Sequence, residues 1–309
     1  MISEKESFQQ KNYIQKSLLY RLSQFVGFLL GARFFVAALL TFALYVSTFF
    51  LFNQEESFRK FVFDFKVHGI IFCTVLSILA GGIINQFYDL EKDHLVKPFR
   101  TRIQRFIKQK YFLYFYLILT VISLGVASFI SHRVLIFFIV YQFFMWFYSH
   151  KLSRILVINN LTFVSLTLYP FFGMMVYYET FSIKIFLMAI FLFLVLLCVD
   201  IVKDMLTKSV DKTFGYITIP NFFNVKKTNT MVISLLIITM AVSMKIVTRT
   251  DISGSMYNYF VTGIFVMILC VYLIINSSKQ SKVLTLNILR LWIFIGIMAM
   301  LISGIQGNL

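Results

Sequence analysis

The sequence has 309 residues, of which 59% are hydrophobic, and 38 of them are phenylalanine. Its mean hydropathy is +0.83. A soluble domain is usually closer to half apolar, so this composition excludes a soluble protein and indicates an integral membrane protein. The net charge of +16 could indicate a nucleic-acid partner. No such partner is expected, because the basic residues follow a membrane topology.

Nine apolar segments are long enough to cross the hydrocarbon core as helices, which takes about 20 residues each. The segments are continuously apolar and lack the alternation of barrel strands, which favours helices. The sequence predicts an all-α integral membrane protein whose nine transmembrane helices surround a central cavity open to the cytoplasmic side. The predicted spans are residues 26–52, 66–87, 111–130, 132–149, 155–178, 183–203, 230–248, 257–276 and 287–305.

The distribution of Lys and Arg predicts the orientation. With the N-terminus placed inside, the inside segments hold 20 of the 29 basic residues and the outside loops hold 7, as the positive-inside rule requires. We therefore expect a cytoplasmic N-terminus, an external C-terminus and a bacterial-type inner membrane or its equivalent. The N-terminal residues lack the apolar core of a cleaved signal peptide. The prediction is one domain over residues 1–309, with a cytoplasmic tail at 1–25 and cytoplasmic motif-bearing loops at 88–110 and 204–229.

Two kinds of residue inside the spans need an explanation. Arg33 is a buried cation facing a cavity if the first span begins at residue 26. If the span begins later, Arg33 extends to the membrane interface. Cys73, Cys198 and Cys270 lie within apolar spans without metal-ligand spacing, so we interpret them as packing residues.

The first polar motif follows the second span. On a helix that turns about 100° per residue, Asp89 lies roughly 40° round from Asn85, and Asp93 roughly 80° round. One face therefore carries an amide and two carboxylates. Such oxygen ligands suit Mg²⁺, which takes one or two carboxylates together with substrate phosphates. A solvated helix end is the alternative interpretation of this motif taken alone.

A second acidic motif follows the sixth span. Asp204 comes four residues after Asp200, and Asp211 comes eleven after it, so the three share a face if the helix continues that far. The chain has 13 acidic residues, and a membrane protein that concentrates them in two matching stretches is expected to bind something there. Six belong to the two motifs: Asp89, Glu91, Asp93, Asp200, Asp204 and Asp211.

Basic and hydroxyl side chains accompany the motifs on the cytoplasmic side. They are suited to phosphate oxygens. The segment from Thr101 to Lys110 permits an amphipathic helix, and Pro170 predicts a kink or a cavity lining in the fifth span. The candidate phosphate ligands are Lys97 and Arg100 after the first motif, Tyr148, Ser149 and Lys151 between spans four and five, Lys203 beside the second motif, and Arg33. Asn159 and Asn160 also follow span four on this side.

Two acidic faces that meet across a cavity can hold two Mg²⁺ ions, and the ions can hold a diphosphate. Metal ions would neutralise the charge of the leaving group. An allylic diphosphate held in this way can ionise to a carbocation, which an acceptor captures. Phe and Tyr side chains would shield that cation from water and stabilise it through their π faces.

These motifs resemble those of the UbiA superfamily of intramembrane prenyltransferases. The family's first motif is similar to Asn85, Asp89 and Asp93 followed by Lys97-Pro98-Phe99-Arg100. Nine helices with the N-terminus inside are also the family's arrangement. Its second motif resembles the set Asp200, Asp204, Asp211, Gly215, Thr218 and Pro220, and its Tyr-Ser element resembles Tyr148-Ser149-His150-Lys151-Leu152.

The resemblance implies a prenyl diphosphate donor, a small acceptor and two Mg²⁺ sites. Asp89 and Asp93, supported by Asn85, would form one metal site. Asp200, Asp204 and Asp211 would form the other, and Asp89, Asp93, Asp200 and Asp204 would be the catalytic set. Three positions depart from the family pattern: Thr207 stands where an acid is common, Val210 replaces a Gly, and Thr101 replaces a Pro.

Several alternatives remain open at this stage. The same carboxylates could form the relay of a transporter or ion pathway, although they lie at helix ends and not at mid-membrane. A catalytically inactive scaffold derived from the family is a third hypothesis. For an enzyme, the acceptor is either an aromatic quinone precursor or a glycerol phosphate. The sequence does not distinguish these acceptors, and it does not give the prenyl length or the oligomeric state.

Overall fold

The computed structural model describes residues 21–22, 25–26, 29, 33–53, 57–96, 98, 109–249 and 252–307. Within these ranges the chain is helical and has no strands, and nine helices are long and apolar enough to cross a membrane. This confirms the predicted fold class, whereas the central cavity stays a prediction. The helices are α1 (Phe34–Ser47, continued as a π-helix over Thr48–Phe52), α2 (Phe65–Tyr88), α3 (Gln109–Ile130), α4 (His132–His150), α5 (Ile158–Tyr177), α6 (Ile183–Thr213), α7 (Val225–Val247), α8 (Gly254–Asn276) and α9 (Lys279–Ile305).

The first helix begins later than hydropathy predicts. The predicted span starts at residue 26, but α1 begins at Phe34. Arg33 therefore lies at the N-terminal end of α1, in a turn with a φ of 53°. Its carbonyl accepts the N–H groups of Val36 and Ala37 at 2.9 and 3.0 Å. This position agrees with the later-starting span and not with a cation inside the helix.

The sixth helix ends later than predicted. Hydropathy places its end at residue 203, but α6 continues to Thr213. The polar residues beyond 203 lower the hydropathy, yet none of them stops a helix. The stop is Gly215, whose φ of 72° is accessible to Gly at little cost. The predicted loop at 204–229 is wrong in its first part, because Asp204 and Asp211 lie on α6.

The helices α7 and α9 also begin earlier than predicted, at residues 225 and 279 instead of 230 and 287. A polar side chain caps each start. Asn224 accepts the Lys227 N–H at 2.8 Å, and Ser278 accepts the Ser281 N–H at 3.0 Å. Such caps satisfy N–H groups that a helix leaves unpaired at its start. The hydropathy window detects only the apolar part of these helices and misses the capped polar turn.

The chain divides into two compact units. The first contains the described residues of Met1–Leu39 and Phe72–Gln142, and the second those of Leu40–Ile71 and Phe143–Leu309. The first acidic motif belongs to the first unit and the second motif to the second. The single domain predicted over residues 1–309 stays a prediction.

Small polar residues join the helices of the first unit. Cys73 and Ser123 exchange hydrogen bonds with each other's backbone carbonyl, at 3.3 and 3.1 Å. The hydroxyls of Ser77 and Ser123 lie 3.1 Å apart, and Gln142 Nε2 donates to Ser77 Oγ at 2.9 Å. Bonds of this kind hold transmembrane helices together where no water competes. Cys73, like Cys198 and Cys270, is a buried free cysteine, which agrees with a packing role.

In the second unit, α6 contacts α5, α7 and α9, while α8 packs between α7 and α9. Apolar side chains such as Leu236, Met267 and Leu289 are fully buried between these helices. Ser243 donates to the Phe260 carbonyl at 2.7 Å, and Ser303 accepts the Met256 N–H at 2.9 Å. The helix that carries the second motif is therefore enclosed by neighbours, and its inward side chains lie away from lipid.

Candidate functional site

The first motif lies at the end of α2 and in the short helix Leu90–Val96. The helical bonding continues across the junction, because the Asp89 N–H donates to the Asn85 carbonyl at 3.0 Å and the Asp93 N–H to the Asp89 carbonyl at 2.8 Å. Asn85 Nδ2 also donates to Asp89 Oδ2 at 2.9 Å. The continuous bonding agrees with the shared helical face that the four-residue spacing predicts, and Asp93 is buried.

The second motif lies on the enclosed helix α6. The side chains of Asp200, Asp204 and Asp211 are all buried, and their residues are exposed by only 1%, 4% and 0%. The helix continues to Thr213, so the condition for the three acids to share a face is met. A buried carboxylate is costly unless it is hydrogen-bonded or paired with a cation. The partners of these three acids therefore define the site.

Two asparagines in the first turn of α5 donate hydrogen bonds to Asp200 and Asp204. We call these two acids the α6 carboxylate pair. Asn160 Nδ2 donates to Asp200 Oδ2 at 2.8 Å and to Asp204 Oδ2 at 2.9 Å. Asn159 Nδ2 donates to Asp204 Oδ2 at 3.3 Å. Neither amide is among the site residues predicted from the sequence. The sequence does contain a signal that could have identified them: two consecutive amides at the start of an apolar span, on the same predicted side of the membrane as the two motifs.

Lys203 neutralises part of the charge of the α6 carboxylate pair. Its ammonium group forms a close ion pair with Asp200 Oδ1 and lies 3.6 Å from Asp204 Oδ1. It also lies 5.1 Å from the centre of the Phe163 ring, within the range of a cation–π contact. Each of the four oxygens of the pair thus faces a donor, the ammonium on one side and the amides on the other.

Tyr148 extends this network to the end of α4. Its hydroxyl donates to Asn159 Oδ1 at 3.0 Å, and its ring centre lies 6.1 Å from that of Phe163. The structure therefore brings the predicted residue Tyr148 to the α6 carboxylate pair through Asn159. The amide of Asn159 accepts from Tyr148 and donates to Asp204, so its orientation is set from both ends.

A strained residue begins the helix that carries the two asparagines. Val157 has a φ of 64° and a ψ of −43°, and a positive φ is rare for a β-branched residue. Such a conformation costs on the order of 1–3 kcal/mol and tends to occur at functional sites. Only Ile158 separates Val157 from Asn159 and Asn160. The turn at Val157 therefore sets where the two amides enter the site.

Asp211 has a partner on its own helix. Thr207 Oγ1 donates to Asp211 Oδ2 at 2.6 Å. Thr207 stands at one of the three positions where the sequence departs from the pattern it resembles, in which an acid is common there. An acid there would repel Asp211, whereas the hydroxyl stabilises it.

The loops at either end of the site are joined to each other. The Ile217 N–H donates to the Arg154 carbonyl at 3.2 Å, and the Arg154 guanidinium lies 5.3 Å from the centre of the Tyr216 ring. The Tyr216 N–H in turn donates to the Asp211 carbonyl at 2.9 Å. This holds the turn after α6 against the loop before α5.

The other predicted phosphate ligands have different positions. Ser149 is buried, and its hydroxyl donates to the Met145 carbonyl at 3.1 Å. Lys151 is exposed at the start of the short helix Leu152–Arg154. Arg33 lies at the start of α1, in the first unit. Lys97, Arg100 and most of the predicted amphipathic segment lie outside the described residues.

The donor atoms of the second unit fit a hard cation. Among the described residues, no group of three or more His, Cys, Asp or Glu side chains forms a ready metal cluster. The α6 carboxylate pair, however, is joined by an amide whose own oxygen is available. Asn160 Oδ1 is buried without a hydrogen-bond partner in the described part of the chain. Carboxylate and amide oxygens together are the ligands that Mg²⁺ prefers.

Comparison with known proteins gives a family match over most of the chain. A model of the UbiA prenyltransferase family matches residues 32–295. The digeranylgeranylglyceryl phosphate synthase of Methanosphaera stadtmanae is 28% identical over 212 residues, which are 68% of this chain and 77% of that protein.

Solved structures share the fold. A structure of a digeranylgeranylglyceryl phosphate synthase has a TM-score of 0.68 at 20% identity, over 92% of this chain and 99% of the other. A UbiA homologue from Archaeoglobus fulgidus, bound to GPP and Mg²⁺, has a TM-score of 0.61 at 17% identity, over 89% and 99% of the two chains. At these identities, the likeness establishes a common arrangement of helices.

Proposed function

Because the chain belongs to the UbiA prenyltransferase family, we propose that it transfers a prenyl group from an allylic prenyl diphosphate to a glyceryl phosphate lipid, with Mg²⁺ as cofactor. The chain is thus a multi-pass membrane enzyme of the prenyltransferase class. Of the two acceptor types left open by the sequence, the glycerol phosphate type is supported by relatives that are digeranylgeranylglyceryl phosphate synthases. The donor is supported by a homologue that binds GPP and Mg²⁺.

The observation that carries the proposal is the α6 carboxylate pair. Two buried carboxylates lie on one helix face, and Asn160 donates to both. A scaffold protein would be more stable with apolar residues here, since buried charges are seldom a net gain in stability. The retention of the pair in a buried, hydrogen-bonded setting therefore favours a ligand-binding role.

We assign the predicted residues to three roles. Asn85, Asp89 and Asp93 hold one Mg²⁺ ion, and Asp200, Asp204 and Asp211 hold the other. The diphosphate oxygens are bound by basic and hydroxyl groups, which suit them as hydrogen-bond donors. These groups are Lys97, Arg100, Tyr148, Ser149, Lys151, Lys203 and Arg33.

The proposed reaction breaks one C–O bond and forms another. The bond between the allylic carbon and the diphosphate breaks, and its electron pair leaves with the diphosphate. A hydroxyl oxygen of the glyceryl phosphate attacks the resulting carbocation and releases one proton. Bound Mg²⁺ supplies Lewis-acid neutralisation of the leaving group. Phe and Tyr side chains shield the carbocation from water and stabilise it through their π faces.

The test is product formation by the purified protein in lipid nanodiscs. Geranyl, farnesyl and geranylgeranyl diphosphate are each supplied with geranylgeranylglyceryl phosphate or with 4-hydroxybenzoate, and mass spectrometry identifies the products. We expect a glyceryl phosphate carrying a second prenyl chain, and no product when EDTA removes Mg²⁺. Prenylated 4-hydroxybenzoate as the sole product would contradict the proposed acceptor. Absence of any product would contradict the activity.

Variants of the acidic residues connect the product to the site. Asp89→Ala and Asp204→Ala should each lower the rate at least about 100-fold, since even indirect changes at metal sites cost 10–100-fold. Glu179→Gln is the matched control, because Glu179 is an exposed acid in the second unit and should keep the wild-type rate. Transport of ions by proteoliposomes without prenyl transfer would favour the ion-pathway alternative. Normal cellular function of an Asp89→Ala, Asp204→Ala double variant would favour the scaffold.

A further inference from the structure

We propose that Lys203 is a built-in counter-ion of the α6 carboxylate pair, and that a divalent cation binds there only by displacing the Lys203 ammonium group. The proposal rests on the function proposed above and adds an order to it: metal binds this site weakly alone and tightly together with the prenyl diphosphate.

The contacts of the pair divide by side. The Oδ2 atoms of Asp200 and Asp204 both face the Asn160 amide, and the Oδ1 atoms both face Lys203. Asn160 is buried at 1% exposure, whereas the Lys203 side chain is 40% exposed. The Oδ1 side of the pair is therefore the more open of the two. The Oδ1 atoms are the ones that the ammonium group occupies.

The ammonium and the metal ion exclude each other. The carboxylate pair carries two negative charges, and Lys203 already offsets one of them. A divalent cation on the same Oδ1 atoms would stand within contact distance of a like charge in a buried setting, where such repulsion is weakly screened. The lysine must therefore leave for the metal ion to bind.

The displaced ammonium has two further partners. The Phe163 ring already lies 5.1 Å from the ammonium in its present position, and the ammonium can keep this cation–π contact when it leaves the carboxylates. The oxygens of a diphosphate would provide stronger charge-assisted hydrogen bonds. A bound prenyl diphosphate thus draws Lys203 away from the pair, and metal and diphosphate promote each other's binding.

Binding of Mn²⁺, measured by EPR, tests this directly. The measurement uses full-length protein carrying Asp89→Ala and Asp93→Ala. These substitutions remove the first proposed metal site, so that the Mn²⁺ signal comes from the α6 carboxylate pair. In this background, Lys203→Met should tighten the affinity for Mn²⁺ alone by about tenfold or more, because a charge at contact distance is removed. Lys226→Met removes an equal charge from an exposed position on α7. It should leave the affinity unchanged.

The Mn²⁺ titration is repeated with geranyl thiolodiphosphate, an unreactive donor analogue. The analogue should tighten Mn²⁺ binding strongly in the protein that has Lys203. In Lys203→Met it should tighten Mn²⁺ binding much less. Lys203→Arg, which keeps the charge, should behave like the parent protein, and Lys203→Gln replaces the Met variant if that variant does not fold.

Two failures are distinguishable. If the wild-type protein turns over substrate, but Lys203→Met in the Asp89→Ala, Asp93→Ala background binds Mn²⁺ no more tightly than that background, the counter-ion inference is wrong and the enzyme activity stands. If the wild-type protein gives no product and binds no Mn²⁺ even with the analogue, the proposed function itself is wrong.

Discussion

At the scale of single residues, the site depends on how buried charge is compensated. Asp200 and Asp204 would repel each other if they were left alone in the protein interior. Asn160 and Lys203 hold them from opposite sides instead. The four carboxylate oxygens of the pair each face a donor, and the loss of one donor would leave a buried charged group unpaired. The amide of Asn160 is the member that both carboxylates share.

The first prediction concerns this shared amide. Asn160→Ala removes a donor from two buried carboxylates, and hydrogen bonds to charged groups contribute about 1.5–3 kcal/mol. We expect a loss of about 2–4 kcal/mol in unfolding free energy, together with a strong decrease in prenyl transfer rate. Thermal unfolding and initial rates, measured on the same preparation, check the two effects.

Asn229→Ala is the matched control for Asn160→Ala. Asn229 Nδ2 also makes two hydrogen bonds, to the Ile274 carbonyl at 3.2 Å and to Ser277 Oγ at 2.8 Å, but both acceptors are neutral. Its loss should destabilise the protein less and leave the rate at saturating substrate unchanged. Equal rates for the two variants would contradict a role of Asn160 in the site.

The sequence predicted the acids of this network, and it predicted Lys203 and Tyr148 as site residues, but it did not predict the two asparagines. Asp200 and Asp204 have a four-residue spacing that indicates a shared face without any structure. Asn159 and Asn160 are distant in the chain and carry no periodic signal, so their approach depends on how α5 packs against α6. Thr207 departs from the family pattern in the sequence. Its hydroxyl donates to Asp211, a contact that only the geometry reveals.

At the scale of elements, the end of α6 determines which residues the site contains. Hydropathy measures transfer into lipid and therefore ends this helix at residue 203, before Asp204. The helix continues to Thr213, because backbone hydrogen bonds and helix propensity do not depend on the apolar run. Gly215 at φ 72° then closes the end and directs Tyr216 back to the Asp211 carbonyl.

The second prediction tests this helix end. In Gly215→Ala, an added Cβ meets nothing within 4 Å, so steric clash contributes no cost. The left-handed backbone alone should cost about 1–2 kcal/mol of unfolding free energy. Gly125→Ala is the matched control. Its Cβ also meets nothing within 4 Å, but its backbone is helical, so it should be neutral or stabilise by up to about 1 kcal/mol.

Unfolding of the two variants in the same detergent gives the comparison. A destabilised Gly215→Ala with an intact Gly125→Ala supports the backbone explanation. If Gly215→Asn recovers part of the loss, the left-handed conformation is the cause, since Asn tolerates that region better than Ala. Equal stability of all three would mean that the α6 end does not depend on Gly215.

At the scale of the whole molecule, an odd number of spans would place the start of the first span and the end of the last on opposite sides of the membrane. The described residues contain nine such helices, in agreement with the nine apolar segments of the sequence. The number of spans was predictable because each apolar run is long and continuous. The predicted orientation rests on charge alone: with the N-terminus placed inside, 20 basic residues would lie on the inner side and 7 on the outer side.

The last prediction tests this orientation with single cysteines. The native Cys73, Cys198 and Cys270 are buried, so they should react slowly with a charged maleimide and give a low background. We introduce Thr248→Cys, at the end of α7, and Gln280→Cys, at the start of α9. Both positions are exposed, and α8 separates them, so they must lie on opposite sides if α8 crosses the membrane.

The positive-inside rule places Gln280 in the cytoplasm, beside the basic residues of that loop, and Thr248 outside. A membrane-impermeant maleimide should therefore label Thr248→Cys in intact cells and Gln280→Cys only in inverted vesicles. The reverse pattern would place both acidic motifs on the outer side, away from a cytoplasmic supply of prenyl diphosphate. Labelling of both positions from the same side would mean that α8 does not cross. The motifs can then receive a cytoplasmic substrate only if the first of these three patterns is observed.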